Sequence, residues 1–418
     1  MGYTGARAGG EGNAVATENS QEGGRRSGTQ RIEPALSRAL RPLAVAAALV
    51  CAALAFAPGA WSADGVTLTI TPSVAPYATP VQLTGSVTPP AAGETVQIAV
   101  QAGDTWQPVG TAVTAADGTF GVELPSPAPG TYQASVGTIV SAPVSLTVKP
   151  KLTASLRGQR IIGSTLRLTG RLEPLEAGTL TVSVNGRRQT VAPNANGSFQ
   201  LLVPTTKIGR LPVVVRLEPA AGFAAVSQRV GTRVAGPALR LGSHGAAVEF
   251  LERRLAQLRY ALIRVDGRFG VDTADAVLAF RKVRGLARVS SVDRAMWRAL
   301  MTAQPPQPRV RGADHIEVDK TRQVLFEVRG GRVVRAVHVS TGATGNTPVG
   351  TWRVYWKDAG YNSLGMYYSL YFLRGFAMHG YNPVPTYPAS HGCVRVPIWY
   401  AVGLFNRWPV GATVRIFA

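Results

Sequence analysis

Cys393 lies in the run Ala389-Ser390-His391-Gly392-Cys393-Val394-Arg395-Val396-Pro397, fourteen residues after His379. A free cysteine has a pKa near 8.5 and is mostly protonated at neutral pH, so its use as a nucleophile needs a base within reach. His379 closes the apolar stretch Phe376-Ala377-Met378 just before Gly380, the placement expected of a base held rigidly at the mouth of a cleft. The loop from Tyr381 to Ala389 carries three prolines and can fold back to bring the imidazole to the sulfur. Gly392 leaves the backbone beside Cys393 uncrowded, so the amides of His391, Gly392 and Cys393 are expected to converge on a developing oxyanion. Arg395 adds charge that either lowers the thiol pKa or holds a substrate carboxylate, and spacing alone does not choose. Tyr367, Tyr368, Tyr371 and Tyr381 are candidates to line the cleft, although strand alternation turns half of such residues away.

Two other uses of these residues compete. Cys393 as an inert buried thiol is one. The other is a zinc site from His379, His391 and Cys393, but no acidic general base adjoins them, and the reading adopted takes no metal and no cofactor. Ser243-His244-Gly245 repeats the triplet without its cysteine, so Ser-His-Gly by itself carries no chemistry. His244 reads as a turn residue, and His315 and His338 as strand or strand-entry positions.

The remaining cysteine, Cys51, falls in the apolar run Leu43 to Phe56, preceded by Arg31, Arg38 and Arg41 and followed by Pro58-Gly59-Ala60. That order reads as a signal peptide, too short for the roughly 20 residues of a membrane span, with Ala60-Trp61-Ser62 offering small residues for cleavage. Val50 before Cys51 argues against a lipid anchor, and an uncleaved signal anchor is the alternative. Residues 1–63 are thus expected to be a disordered N-terminus plus signal peptide or anchor. Once exported, Cys393 has no second cysteine in the chain to pair with. The net charge of +21 reads either as general solubility or as an anionic partner or surface, and no nucleic-acid motif is present.

The fold class expected is multidomain. Residues 64–149 and 150–235 read as two copies of one all-β module, because Leu83-Thr84-Gly85-Ser86-Val87-Thr88-Pro89 returns as Leu168-Thr169-Gly170-Arg171-Leu172-Glu173-Pro174. Hairpin signals recur too, Asp117-Gly118 in the first copy and Asn196-Gly197 in the second. Their size and turns resemble immunoglobulin-like sandwiches, and with no nucleophile or ligand cluster they read as spacers. Residues 236–303 turn helical: Val248, Leu251, Leu255 and Leu258 share one face, Ala274, Val277, Leu278 and Phe280 fall in a second helix, and Trp297 and Leu300 in a third. The Leu241-Gly242-Ser243-His244-Gly245 opening, the Asp266-Gly267-Arg268-Phe269-Gly270 turn and the terminal Trp297 resemble the three-helix peptidoglycan-binding domain found beside cell-wall enzymes. That resemblance implies a glycan-peptide ligand.

A stiff linker, 304–309, with Pro305, Pro306 and Pro308, leads into 310–418, expected to be mainly β. Gln323 to Val328 and Arg332 to Thr341 flank Arg329-Gly330-Gly331 as a hairpin, and Met366 to Phe372 is expected to pair with Phe376 to His379. Ile398 to Arg407 is the one strong helix. This domain resembles the L,D-transpeptidase, or YkuD-type, catalytic domain, whose pattern is a His-Gly or His-x pair followed by Ser/Thr-His-Gly-Cys, a hydrophobic residue and Asn or Arg. Thr341-Gly342 and Thr347-Pro348-Val349-Gly350-Thr351-Trp352 match family positions as well. The resemblance implies Cys393 as the acyl-enzyme nucleophile, His379 as its base oriented by the Gly380 carbonyl, and Ser390, His391, Gly392 and Arg395 as the rest of the motif. Only eleven residues separate His379 from His391, a departure that implies a shorter loop over the cleft.

The implied reaction expels the terminal D-alanine of a donor tetrapeptide stem and forms a 3-3 peptidoglycan cross-link. The alternatives are an L,D-carboxypeptidase, if water takes the acyl group, or a non-catalytic wall-binding protein. The implied partners are peptidoglycan stem peptides and glycan, anionic cell-wall polymers and carbapenem inhibitors, at an extracytoplasmic, wall-associated location.

Overall fold

A computed structural model describes residues 65–418; Cys51 and the stretch expected to be a signal peptide lie outside the described residues. The first β module is two facing sheets, of four and six strands, closed over a core that takes Leu83 and Phe120 from one sheet and Ile98, Tyr132 and Leu146 from the other. The second module faces a three-stranded sheet against a four-stranded one. Its Gly170 and the first module's Gly85 occupy the same niche. A Cβ on Gly85 would meet Phe120 at 2.4 Å, and one on Gly170 would meet Phe199 at 2.3 Å, so the repeated Leu-Thr-Gly is a packing requirement as well as a sequence echo.

Helices α1 (Ala246–Gln257), α2 (Val271–Val283) and α3 (Arg294–Thr302) follow. Asp293 caps α3 by accepting from the Met296 amide at 2.7 Å. The turn before α2 has Gly270 as its N-cap, without a side-chain bond, while Asp272 in its first turn accepts from the Ile263 amide. One apolar core runs from Leu168 and Val215 of the second β module through Leu251, Phe280 and Trp297 to Val324, Phe326 and Val328 of the last domain. Residues 150–235 therefore do not stand apart from the helices. The proline linker is tied down as well, the Arg309 and Val310 amides donating to the Glu317 carboxylate at 2.9 and 2.8 Å.

The last domain has two sheets. Five strands run in the order Arg332–His338, Val324–Arg329, His315–Asp319, Thr413–Phe417, Gly350–Arg353; four run Trp356–Tyr361, Tyr367–Leu373, Phe376–Tyr381, Val394–Pro397. Ile316, Val318 and Val414 of the first sheet and Leu370, Met378 and Val396 of the second share a core with Ala401 and Leu404 of α4 (Ile398–Arg407). Fully buried Glu327 joins the five-stranded sheet to α4. Its carboxylate accepts from Arg407 Nη2 at 2.6 Å, from Trp408 Nε1 at 2.9 Å and from the Tyr400 hydroxyl. Burial pushes that carboxyl up, but the Arg407 guanidinium and the Tyr400 and Trp408 donors outweigh it and hold it below the ordinary value. Glu327→Ala, which strands these donors, is expected to destabilise the domain by about 3–5 kcal/mol, read as a shift in urea midpoint.

Candidate active site

The Phe376–Tyr381 and Val394–Pro397 strands pair in parallel, with Met378 opposite Val394 and His379 opposite Arg395. This pairing draws the end of one strand beside the start of the other, so His379 and Cys393 line a single cavity of about 510 Å³ with Met366, Phe376, Tyr381 and Arg395. His379 is 5% exposed, and its Nδ1 lies 3.0 Å from the Gly380 carbonyl. A carbonyl can only accept, so Nδ1 carries the proton and Nε2 keeps its lone pair. Gly380 also packs where a Cβ would meet Ala401 at 2.9 Å.

Cys393 is a half-buried free thiol, its sulfur 4.0 Å from Met366 Sδ and 3.8 Å from the Gly375 carbonyl. Burial pushes the thiol up; the Ala377 amide and Arg395 pull it back only in part. Burial also pushes His379 down, the Gly380 hydrogen bond opposing and Arg395 assisting. Thiol and imidazole are therefore both neutral at rest.

Hydrogen bonds set the turn before the sulfur. Ser390 Oγ donates to the Cys393 carbonyl at 2.6 Å and accepts from the Gly392 amide at 3.0 Å. Gly392 thus differs from the sequence expectation: its amide is engaged inside the turn by Ser390 Oγ. Thr347 Oγ1 donates to the Gly392 carbonyl at 2.8 Å and Asn346 Nδ2 to the His391 carbonyl at 2.7 Å. Gly392 has φ +131°, and a Cβ there would lie 2.1 Å from Phe376 Cε1. Gly392→Ala must move either the ring or the turn. It is expected to lower acyl transfer about 10²-fold with the fold retained, as a misplacement near 1 Å does.

Arg395 donates from Nη1 to the Ala389 carbonyl at 3.1 Å and lies over the Tyr381 ring at 4.0 Å. Its Nε is buried without a partner. Tyr381 lines the cavity, but Tyr367 and Tyr368 do not: Tyr368 stacks edge-on against Phe405 of α4 at 5.1 Å, with Tyr367 beside it at 4.7 Å. The strand is irregular between Tyr367 and Leu370, and Tyr368 has φ +49°, so simple alternation does not give the side on which each ring falls. The His391 side chain is exposed, its residue lining the cavity rim. His244 sits in the α1 entry turn, His315 is buried against Glu317, and His338 is bonded to Asp275 at 2.9 Å. Leu364, Gly365, Met366 and Gly375 line the cavity unannounced by any motif; two glycines in an aromatic hairpin were the only hint. Among the described residues no cluster of three His, Cys, Asp or Glu is arranged to hold a metal ion.

Residues 313–416 match the family model for the L,D-transpeptidase catalytic domain, YkuD. The chain is also similar, at 34% identity over all of that chain and 44% of this one with a TM-score of 0.42, to the L,D-transpeptidase (residues 123-326) from Xylanimonas cellulosilytica DSM 15894. The chain belongs to the L,D-transpeptidase family. It is thereby a cysteine-dependent acyltransferase of cell-wall cross-linking. Residues 244–300 of this transpeptidase match the model for a peptidoglycan binding domain, so peptidoglycan is its partner and its action is extracytoplasmic. No helix among the described residues is long and apolar enough to cross a membrane. The chain is similar at 10% identity to an L,D-transpeptidase from Mycobacterium smegmatis, over 64% of this chain and 100% of that one, with a TM-score of 0.23. A tetra-tandem repeat in the extending region of a large adhesion protein is similar at 19% identity, over 42% of this chain and 51% of that one, with a TM-score of 0.26. No curated protein matches the chain.

Proposed function

We propose that Cys393 is the acyl-enzyme nucleophile and His379 its general base, in a reaction that forms 3-3 peptidoglycan cross-links from tetrapeptide stems. The observation that carries this is the shared cavity: a buried imidazole, its Nδ1 proton bound by Gly380 and its Nε2 lone pair free, lines the same cavity as the half-buried thiol. A neutral pair suits attack with simultaneous proton transfer. As the sulfur bonds to the carbonyl carbon of the third stem residue, Nε2 takes the thiol proton, and the amides of His391 and Cys393 hold the oxyanion. Collapse breaks the amide bond, and Nε2 returns the proton to the departing D-alanine amine. An amine of a second stem then attacks the thioester, passes its proton through Nε2 to the sulfur and leaves as the new amide. Water in its place gives an L,D-carboxypeptidase.

Ser390 and Gly392 shape the turn, and Arg395 braces Ala389 and Tyr381 with its positive charge on the cavity wall. In this reading residues 236–303 hold the wall, 310–418 do the chemistry, and the two immunoglobulin-like modules, 64–149 and 150–235, are spacers. Anionic wall polymers meet the net charge of +21, and carbapenems acylate Cys393. Incubation with a disaccharide-tetrapeptide and mass spectrometry tests the reading: dimer with loss of D-alanine supports it, tripeptide alone indicates carboxypeptidase action, and neither product refutes it.

A further inference from the structure

Helix α2 belongs to the wall-binding domain, yet two of its side chains enter the catalytic domain. Asp275 and Lys282 are seven residues apart, two turns, and so share a face. Asp275 accepts from Trp399 Nε1 at 2.7 Å with one oxygen and bonds His338 Nε2 with the other. Lys282, only 3% exposed, donates through Nζ to the Val339 carbonyl at 2.9 Å and the Gln323 carbonyl at 3.2 Å. Burying an amine costs far more than burying a methionine of similar length, so what Lys282 contributes is those two hydrogen bonds. Burial brings its pKa down to about 7, Arg288 assisting and Asp275 opposing. Charged or neutral, the group keeps at least two N–H donors.

From these residues a relay of hydrogen bonds and backbone links reaches the Cys393 carbonyl. Gln323 sits at φ +59°, a conformation few side chains adopt unaided. It holds Thr341 from two sides, its Oε1 accepting the Thr341 amide at 2.8 Å and its Nε2 donating to Thr341 Oγ1 at 2.7 Å. The Thr341 carbonyl accepts the amides of Ala389 and Ser390 at 2.9 and 3.0 Å, while Ser340 and Arg395 exchange amide bonds alongside. Ser390 Oγ then closes on the Cys393 carbonyl. Segment 339–341 is thus clamped between the wall-binding helix on one side and the nucleophile turn on the other.

We propose that Lys282 is a positioning residue for Cys393, so that the wall-binding domain is a structural part of the active site as well as its tether. The proposal rests on Cys393 being the nucleophile. Its test uses the full chain with a soluble disaccharide-tetrapeptide, together with alkylation by iodoacetamide read on the Cys393 peptide by mass spectrometry. Lys282→Met is expected to lower kcat about tenfold with KM within about twofold, the signature of lost alignment rather than lost binding. Alkylation of Cys393 should rise about threefold as the turn loosens and exposes the sulfur. Both are measured where near-ultraviolet circular dichroism matches wild type. Thr341→Val, on the far side of the same chain, should shift both readouts the same way, and the double variant should fall short of the sum. If Lys282→Met does not fold, Thr341→Val is read in its place.

Unchanged kcat and alkylation in the folded variant, a rise in KM alone, or full additivity with Thr341→Val would overturn the proposal. Wild type without acyl transfer would instead refute the proposed function, and the alkylation shift would still decide the positioning role.

Discussion

Cys393→Ala is expected to lower acyl transfer by about 10⁴-fold or more, because removing a nucleophile that forms a covalent intermediate leaves only binding and oxyanion contacts. The substitution should be well tolerated structurally. Cys393 is half-buried beside the cavity, and what sets its turn is the Ser390 hydroxyl on its carbonyl and the Thr347 hydroxyl on the Gly392 carbonyl, which alanine retains. KM for the donor stem should therefore stay near wild type while kcat collapses. If carbapenems acylate the wild type as proposed, the adduct is expected on the Cys393 peptide and should be lost in this variant. An adduct on another residue, or identical product profiles for wild type and variant, would displace Cys393 from the mechanism. Cys393→Ser should be nearly as inactive, since a hydroxyl holds its proton far more tightly than a thiol.

His379→Gln is expected to cost about 10²–10⁴-fold in kcat, the range for loss of a positioned general base. Its pH profile is the sharper readout. Burial places the imidazole below its ordinary value and the thiol above its own, so the productive pair, neutral imidazole with protonated thiol, fills the window between them. Wild-type kcat/KM should rise with pH through the lowered His379 pKa, below the usual 6.5. It should then stay flat across neutrality and fall through the raised Cys393 pKa, where no proton is left for the departing amine. In His379→Gln the acidic limb should vanish, the residual rate instead climbing with thiolate at alkaline pH. Alkylation of wild-type Cys393 should show one alkaline rise; a reactive plateau from pH 5 to 8 would mean a resting thiolate–imidazolium pair and reverse the assignment of charge.

Much of this molecule is legible one segment at a time. Periodic apolar residues place α1, α2 and α3, the Gly330-Gly331 turn places its hairpin, and Ile398 to Arg407 is helical over the span expected. His379 and Cys393 stand out as candidates for a related reason: a histidine late in a strand and a thiol after Ser-His-Gly are short-range patterns. Tyr367 and Tyr368 were misplaced because a local irregularity in the strand, visible only with its partner present, turns Tyr368 onto α4 with Tyr367 stacked beside it. The Gly392 amide was misread because its acceptor is a side-chain rotamer, not a spacing.

The sequence by itself singled out a candidate thiol and a candidate base, and it determined the helices and hairpins that carry them, since each depends on interactions within a few residues. Tertiary structure alone decided which groups meet. The parallel pairing of Phe376–Tyr381 with Val394–Pro397 makes one cavity of two motifs, a shared core merges residues 150–235 with the helices, and Lys282 reaches carbonyls 41 and 57 residues away. A buried polar group takes whichever partner the closed fold brings to it, and nothing in the spacing along the chain records that choice.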